Sequence, residues 1–207
     1  MSENKWLDWA VELQSLAQAG LKYTNDVFDR ERFERIREIS AEILAHQSDI
    51  PFEKVCDVFC CEQGYQTPKL DSRASIIKDN KILLVHEKNG TWSLPGGWVD
   101  VDISVGENVV KEVREEAGLI AVPEKVVAVQ DREKHNRPVY ANKICKVFVQ
   151  CRVIGGEFKE NHETTGFDYF GIDELPPLAT EKINKEQIQM CFDAYNDDNW
   201  KLCWIDL

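Results

Sequence analysis

The chain has 207 residues, of which 43% are hydrophobic and 30% are charged, a composition typical of a globular protein of one or two domains. Its 37 acidic and 25 basic side chains give a formal net charge of -12, which argues against binding long nucleic acid by phosphate neutralisation. A small anionic ligand is compatible with this charge if a divalent metal supplies positive charge.

The N-terminal stretch MSENKWLDWAVELQ lacks the basic segment followed by an apolar segment that a secretory signal has. The sequence also lacks an apolar run approaching the roughly 20 residues that span a bilayer. Its seven cysteines contain no C-x-x-C pair that would indicate a zinc or dithiol site. We therefore expect a cytoplasmic protein without membrane attachment.

The first sixty residues are predicted to be helical. Apolar residues recur at helical spacing in the first helix: Trp6, Ala10, Leu13 and Ala17. Gly20 is placed to end that helix, and an apolar stripe over residues 30–46 predicts a second one. Asp49 before Pro51 indicates the start of a third helix. Its buried face is predicted to hold Val55, Val58 and Phe59.

A linker composition at residues 63–68 separates this helical part from a segment in which the apolar period shifts toward two. Strands are predicted over residues 72–78, 81–87, 126–130 and 143–153, with the first two forming a hairpin around Asp79-Asn80. A final helix is predicted over residues 182–195. The pattern predicts an α+β protein with a helical N-terminal domain, residues 1–66, and a mixed domain, residues 67–207.

Three short helices bury little apolar surface by themselves. Their apolar faces are therefore expected to pack on the second domain or on another subunit, and we expect a homodimer.

Residues 104–118, SVGENVVKEVREEAG, predict a capped helix with Ser104 opening a capping box and Gly118 at its left-handed end. Three glutamates fall within an arc of roughly 100° on this helix: Glu112, Glu115 and Glu116. Like charges at this spacing repel one another, so a cation is expected between them. Hard oxygen ligands suit Mg²⁺ or Mn²⁺. The simpler alternative is a solvated acidic helix after a glycine turn.

Residues 97–119 resemble the signature of the Nudix hydrolases, G-x5-E-x7-R-E-U-x-E-E-x-G-U, in which U is a bulky aliphatic residue. The matching positions are Gly97, Glu112, Val113, Glu115, Glu116, Gly118 and Leu119. Residues 170–176, FGIDELP, are similar to a segment that often follows the last sheet strand in that family. The resemblance covers residues 68–207 and implies a Nudix α/β/α sandwich with a mixed sheet.

The helical leader with its Gly-Tyr-Gln-Thr-Pro linker resembles an N-terminal module of a bacterial Nudix subgroup. That subgroup acts on nucleoside diphosphates linked to another group X, including CDP-choline and ADP-ribose. The resemblance implies hydrolysis of the pyrophosphate bond with Mg²⁺ or Mn²⁺, which gives a nucleoside monophosphate and a phosphorylated X. The implied partner is a small-molecule nucleotide.

Two positions depart from the signature, with Ile103 in place of the first glutamate and Lys111 in place of the arginine. Ile103 favours an alternative function, a nucleotide-sensing module without catalysis, whereas the intact carboxylates argue against it. Action on RNA ends or 3′ tails is a further alternative, which the acidic net charge disfavours.

The resemblance implies that Glu112 and Glu116 are the primary metal ligands and that Glu115 is a third ligand or a partner of one. The backbone carbonyl of Gly96 or Gly97 can add an oxygen. For the general base, Glu112 competes with a glutamate on a later loop. Glu160 and Glu163 lie on such a loop, and Glu163 is preferred.

Candidate residues for substrate binding include four aromatic side chains that could stack on a base: Tyr65, Trp98, Tyr140 and Phe167. Packing explains each of them equally well. Arg73 could reach a phosphate, and Lys134 and His135 could contact phosphate or the X group. The residues do not distinguish cytidine from adenosine.

Overall fold

The computed structural model describes residues 5–48, 50–159, 161–200 and 204–206. Asp49 and Glu160 lie outside the described residues. The chain divides into two compact units, Met1–Pro68 with Tyr140–Lys143, and Lys69–Val139 with Ile144–Leu207. Within the described ranges, no helix is long and apolar enough to cross a membrane. The cytoplasmic location stays a prediction.

The first unit contains three helices, as predicted: α1 (Lys5–Tyr23), α2 (Val27–Gln47) and α3 (Phe52–Phe59). The prediction that Gly20 ends the first helix is wrong, because α1 continues to Tyr23. A Cβ atom at Gly20 would lie 2.4 Å from a ring carbon of Phe33 in α2. Gly20 therefore permits the close approach of α1 and α2.

Buried polar side chains join these helices to the segment that follows α3. The Gln14 amide donates to the carbonyl oxygen of Phe59 at 3.2 Å, and the Gln18 amide donates to that of Gly64 at 3.0 Å. Val55 is buried on α3 as predicted, whereas the prediction for Val58 is wrong, since 58% of that residue is exposed. Buried hydrogen bonds thus supplement a small apolar core.

The second unit contains two sheets. The first sheet has the strand order β5 (Gly96–Trp98), β1 (Lys69–Ser75), β7 (Ile144–Gly156), β6 (Leu119–Asp131) and β9 (Trp204–Ile205). The second sheet has the order β2 (Ile77–Lys78), β3 (Lys81–Glu87) and β4 (Trp92–Ser93), and β8 (Thr164–Phe170) also pairs with β3. The first sheet is mixed, because β7 pairs in parallel with β1 and antiparallel with β6.

The predicted hairpin around Asp79-Asn80 is present between β2 and β3. Both turn residues have positive φ values, 51° and 55°, as a two-residue hairpin turn requires. The predicted strand over residues 72–78 is instead two strands, because β1 pairs with β7 in the first sheet. The strands predicted over 126–130 and 143–153 lie within β6 and β7, which extend further.

Helices cover both faces of the first sheet. Helix α4 (Val105–Ala117) packs its valines on one face, where Val147 and Val149 of β7 are also buried. Helix α6 (Lys185–Asn196) packs on the other face, with Phe148 of β7. A short helix, α5 (Arg132–His135), follows β6. The alternation along β7 therefore separates two cores, and the predicted α/β/α layering is confirmed.

Candidate active site

Both ends of α4 are fixed by the residues that the sequence indicates. The hydroxyl of Ser104 accepts from the Glu107 amide at 3.2 Å, and the Glu107 carboxylate accepts from the Ser104 amide at 2.8 Å. Gly118 closes the helix with φ 69°. A Cβ atom there would lie 2.2 Å from the carbonyl oxygen of Glu157, so only glycine fits.

The orientation of α4 about its own axis is set by apolar packing and by one buried hydrogen bond. Val109 and Val113 are fully buried against the first sheet. The side chain of Asn108 donates to the hydroxyl of Ser72 in β1 at 2.9 Å. These contacts place Glu112 and Glu116 toward the glycines at the start of β5.

The two glycines approach the acidic face of α4 closely. The Gly96 amide donates to Oε2 of Glu116 at 2.8 Å. Gly96 has φ 150°, and a Cβ atom there would lie 2.0 Å from the carbonyl oxygen of Ser72. A Cβ atom at Gly97 would lie 3.1 Å from Oε2 of Glu112. The absence of side chains at both positions therefore leaves room beside the two carboxylates.

Burial disfavours the charged forms of Glu112 and Glu116, each of which is 8% exposed. It raises the pKa of Glu116 to about 7, while the Gly96 hydrogen bond and the charge of Arg73 oppose that rise. Burial also raises the pKa of Glu112, the charge of Lys111 opposes that rise, and the charges of Glu115 and Glu163 add to it. The site therefore favours the approach of positive charge.

Lys111 supplies some of this positive charge. Its ammonium lies 2.8 Å from Oδ2 of Asp100, 3.7 Å from Oε1 of Glu112 and 3.9 Å from Oε2 of Glu115. The Glu115 side chain is 60% exposed, unlike those of Glu112 and Glu116. The three glutamates predicted to share a cation therefore differ in environment, with two buried and the third at the surface beside Lys111.

Arg73 is buried, and its guanidinium contacts other protein groups. It donates to both carboxylate oxygens of Asp71, at 3.0 and 2.9 Å, and to the carbonyl oxygen of Leu94 at 3.3 Å. Its charge also lowers the pKa of Glu116. Arg73 is thus close to the predicted site, but these contacts engage the guanidinium that was expected to reach a phosphate.

The donor set fits a hard divalent cation. Glu112 and Glu116 are close enough for the charge of one to raise the pKa of the other, and a cation would offset this effect. Across the described ranges, no three acidic, histidine or cysteine side chains are already gathered for a metal. Mg²⁺ binds through one or two carboxylates together with waters and substrate oxygens, so two glutamates suffice for the protein's share.

Glu163 lies on the loop before β8, and its charge contributes to the raised pKa of Glu112. Its side chain is at the surface, and its amide donates to Oδ1 of Asn161 at 2.9 Å. The neighbouring residues Asn161 and Thr164 both contact the backbone carbonyl of Glu116, so the loop that carries the candidate base lies against the last turn of α4.

The four candidate stacking aromatics are in different places. Trp98 is 54% exposed and follows Gly97 directly. Phe167 packs edge-on against Phe158 and Tyr169 and belongs to the core on the α4 side of the sheet. Tyr65 and Tyr140 are exposed and belong to the helical unit. Within the second unit, Trp98 is therefore the candidate best placed to stack on a base.

His135 contacts the C-terminal segment. Its Nε2 lies 2.7 Å from Oδ1 of Asp206, and the other carboxylate oxygen of Asp206 accepts from the Asp131 amide at 2.7 Å. Lys134 is exposed in the same short helix. These contacts explain His135 as a residue that fixes the chain after β9.

Four residues of the site were not predicted from the sequence: Asp71, Asp100, Asn161 and Thr164. The contact of Asp71 with Arg73 could have been predicted, because residues two apart in a strand lie on the same face of the sheet. Asp100 lies in an irregular loop and is brought to Lys111 by the fold. The hydroxyl of Thr164 donates to the backbone carbonyl of Glu116, which no periodic pattern indicates.

Comparison with known proteins identifies the family. Residues 68–191 match the NUDIX domain model, and residues 4–59 match the model described as Nudix_N, a UDP-X-like N-terminal oligomerisation domain. The chain belongs to the Nudix family. It is a Nudix pyrophosphohydrolase, which confirms the resemblance read from residues 97–119.

Several Nudix proteins are similar to this chain over most of its length. It is 40% identical over 192 residues to the YjhB protein of Bacillus subtilis (strain 168), an alignment that covers 92% of each protein. A crystal structure of a UDP-X diphosphatase is 34% identical, with full coverage of both chains and a TM-score of 0.64. The structure of an ADP-ribose pyrophosphatase from Streptococcus suis 89-1591 is 49% identical with a TM-score of 0.63, covering 68% of this chain and 100% of that one.

Proposed function

We propose that this Nudix enzyme hydrolyses the pyrophosphate bond of a nucleoside diphosphate linked to a group X, with ADP-ribose the foremost candidate. The products are a nucleoside monophosphate and a phosphorylated X. The observation that carries the proposal is the buried pair Glu112 and Glu116 beside the side-chain-free edge at Gly96 and Gly97. The 49% identity to an ADP-ribose pyrophosphatase supports ADP-ribose, and the likeness to a UDP-X diphosphatase supports UDP-linked compounds. CDP-choline stays a prediction from the sequence.

The residues that would hold Mg²⁺ or Mn²⁺ are Glu112 and Glu116, with the Gly97 carbonyl as a further oxygen and Glu115 as an outer partner. When bound, the cation neutralises charge on the phosphate oxygens and makes a bound water more acidic. The Gly96 amide fixes one oxygen of Glu116, so this carboxylate is oriented before any ligand arrives. Phosphoryl transfer depends chiefly on such positioning and on electrostatic stabilisation.

Glu163 is proposed as the general base. Its carboxylate takes a proton from the water that attacks one phosphorus, and the bond from that phosphorus to the bridging oxygen breaks. The position of Glu163 supports this role, because the residues Asn161 and Thr164 on either side of its loop segment both contact the backbone carbonyl of Glu116. Glu112 is the alternative base, and the variant Glu163→Gln separates the two roles.

Substrate contacts are proposed at the surface next to the glycines. Trp98 offers an exposed ring for stacking on the base. Arg73 is proposed to act through its charge beside Glu116, because Asp71 and Leu94 accept from all three of its guanidinium nitrogens. Tyr65 and His135 stay predictions, and the contact of His135 with Asp206 favours a structural role for the histidine.

The proposal includes a homodimer formed by the N-terminal unit. Three large apolar side chains are exposed on α1 at heptad spacing: Trp9, Leu16 and Tyr23. Heptad spacing places them on one stripe of the helix, as in helix-to-helix seams. The match of residues 4–59 to an N-terminal oligomerisation domain supports this assignment.

A substrate panel tests the proposed function. The protein is incubated with Mg²⁺ and ADP-ribose, UDP-glucose, CDP-choline, ATP or short RNA, and kcat/KM is obtained from the products. We expect ADP-ribose or a UDP-linked compound to exceed ATP and RNA by at least about a hundredfold, a ratio that requires specific polar contacts. A preference for ATP or RNA ends would contradict the proposal.

A further inference from the structure

The last turn of α4 is joined to the loop that carries Glu163 through the backbone carbonyl of Glu116. The Thr164 hydroxyl donates to this oxygen at 2.5 Å, and the Asn161 amide nitrogen lies 3.4 Å from the same oxygen. The carbonyls in the last turn of a helix lack intrahelical partners, so this oxygen is available to an outside donor. Glu116 therefore contributes both this backbone carbonyl and a side-chain carboxylate that is proposed to bind the metal.

The side chain of Asn161 makes three hydrogen bonds within the loop. Its Oδ1 accepts from the amides of Glu163 and Thr164, at 2.9 and 2.7 Å, and its Nδ2 donates to the Thr164 hydroxyl at 2.7 Å. Both halves of the side chain are therefore used, one for the turn and one for the contact with Thr164. Glu163 lies between the two anchoring residues.

A β-bulge turns Thr164 toward the helix. The register between β3 and β8 shifts between His86 and Glu87, because Glu87 pairs with Thr164 whereas His86 pairs with Gly166. The extra residue on β8 is Thr165, whose hydroxyl instead contacts His86 at 2.7 Å. Bulges next to active sites commonly re-aim a side chain, and here Thr164 is 1% exposed at the helix end.

We infer that Asn161 and Thr164 are positioning residues that fix Glu163 relative to the carboxylates of α4. The inference rests on the proposed function, in which Glu163 is the base. A loop tied to the carbonyl of Glu116 moves with the helix that holds Glu112 and Glu116, so the distance between base and carboxylates is set by protein contacts. A merely structural helix cap would stabilise α4 without affecting proton transfer at Glu163.

The test compares Thr164→Val, which removes the hydroxyl, with Thr164→Ser, which keeps it, and with Thr165→Val as a matched control. We expect Thr164→Val to lower kcat by about ten- to a hundredfold with KM within about twofold, since small misplacements near the reacting atoms have effects of this size. Thr164→Ser is expected to keep most of the kcat of the parent protein, and Thr165→Val is expected to leave kcat unchanged. Asn161→Ala, at a half-buried site, provides a second variant if Thr164→Val does not fold.

A double-mutant cycle tests whether Asn161 and Thr164 act through Glu163. In the Glu163→Gln background, Thr164→Val is expected to change kcat by less than about twofold, because residues that act as a unit are not additive. Mn²⁺ affinity, measured by electron paramagnetic resonance, is expected to be the same in Thr164→Val as in the parent. Additive losses in kcat, or a large loss of Mn²⁺ affinity, would overturn the inference.

Failure of the inference can be told from failure of the proposed function. If Glu163→Gln loses turnover while Thr164→Val and Asn161→Ala keep it, the positioning role is overturned and the hydrolase assignment stands. If Glu163→Gln keeps full turnover, the base assignment and the positioning role are both overturned. Absence of hydrolysis by the parent protein across the substrate panel overturns both the proposed function and the positioning role of Asn161 and Thr164.

Discussion

The backbone amide of Gly96 donates a hydrogen bond of 2.8 Å to Oε2 of Glu116. This contact connects the glycine turn to the acidic face of α4, so the residue just before the Nudix signature holds one of the carboxylates of that signature. A backbone donor favours the charged form of a buried carboxylate. It only partly offsets burial, since the pKa of Glu116 still rises to about 7.

The raised pKa of Glu116 predicts a pH-dependent stability for the metal-free protein. The pKa of Glu116 is about 7 in the folded state and about 4.3 in the unfolded state. Between these two pH values the folded state binds more protons than the unfolded state. The free energy of unfolding therefore falls as the pH rises from about 4.3 to about 7. Above about pH 7 this loss of stability levels off at about 3–4 kcal/mol, which is the difference between the two pKa values at about 1.4 kcal/mol per unit. Glu116→Gln removes this titration, and its unfolding free energy should therefore fall less between pH 5 and pH 8.

Urea unfolding with EDTA at the two pH values measures this difference. Glu186→Gln, at an exposed position of α6, is the matched control and should follow the parent protein. Equal pH dependence in Glu116→Gln and the parent would show that burial of Glu116 does not affect its titration as described.

The departures at Ile103 and Lys111 are predicted to be harmless for catalysis. Lys111 pairs with Asp100 at 2.8 Å, so a carboxylate partner is present although residue 103 is apolar. Restoring the family pattern with Ile103→Glu and Lys111→Arg together should change kcat by less than about threefold. The pair is partly exposed, and such ion pairs contribute little. A gain in kcat above tenfold would mean that the natural protein is catalytically impaired.

Two helical glycines are expected to respond oppositely to alanine. At Gly20 the new methyl group would overlap the Phe33 ring, and overpacking of this kind costs about 1–3 kcal/mol. At Gly106 in α4 the nearest atoms are 4.0 Å away, so alanine should be neutral or gain up to about 1 kcal/mol from helix propensity. Thermal unfolding of both variants measures the contrast. Equal melting temperatures would show that α1 and α2 do not meet at Gly20 as described.

The apolar stripe on α1 is predicted to mediate the proposed homodimer. Leu16→Glu places a charge within this stripe and should lower the sedimenting mass to that of a monomer. Ile154→Glu in β7 is the control, because Leu16 and Ile154 are similarly exposed, at 59% and 58%. A dimer that survives Leu16→Glu would exclude this surface. A parent protein that is monomeric at every concentration would exclude the dimer itself.

Much of the fold was accessible from the sequence because local signals agreed with one another. The bounds of α4 follow from the capping pattern at Ser104 and from Gly118, where backbone geometry permits few other residues. The period-two pattern of residues 143–153 predicted the strand β7, but it did not show that both faces of this strand are buried, with Phe148 in one core and Val147 in the other. The division of residues 72–78 between two sheets was missed, because periodicity does not reveal which strand is the partner.

The candidate site was predicted less completely than the fold, because several of its contacts join different helices, strands and loops. The carboxylates of α4 share one helix, so their relative placement follows from helical geometry. The difference in burial between Glu115 and Glu116 does not follow from the helix alone, because Glu116 is contacted by the Gly96 amide of a separate turn. The contacts of Asp100 with Lys111 and of Thr164 with Glu116 join residues far apart in sequence, so they require the folded chain.

Pyrophosphate hydrolysis at the buried carboxylates is tested most directly by mass spectrometry of the products formed from ADP-ribose and Mg²⁺ in ¹⁸O-water. We expect AMP and ribose 5-phosphate, with one ¹⁸O atom on a single phosphate. We also expect that folded Glu116→Gln forms these products at least about a hundredfold more slowly, as loss of a key electrostatic group does. Equal product formation by Glu116→Gln and the parent protein would contradict the assignment of the buried carboxylates to catalysis.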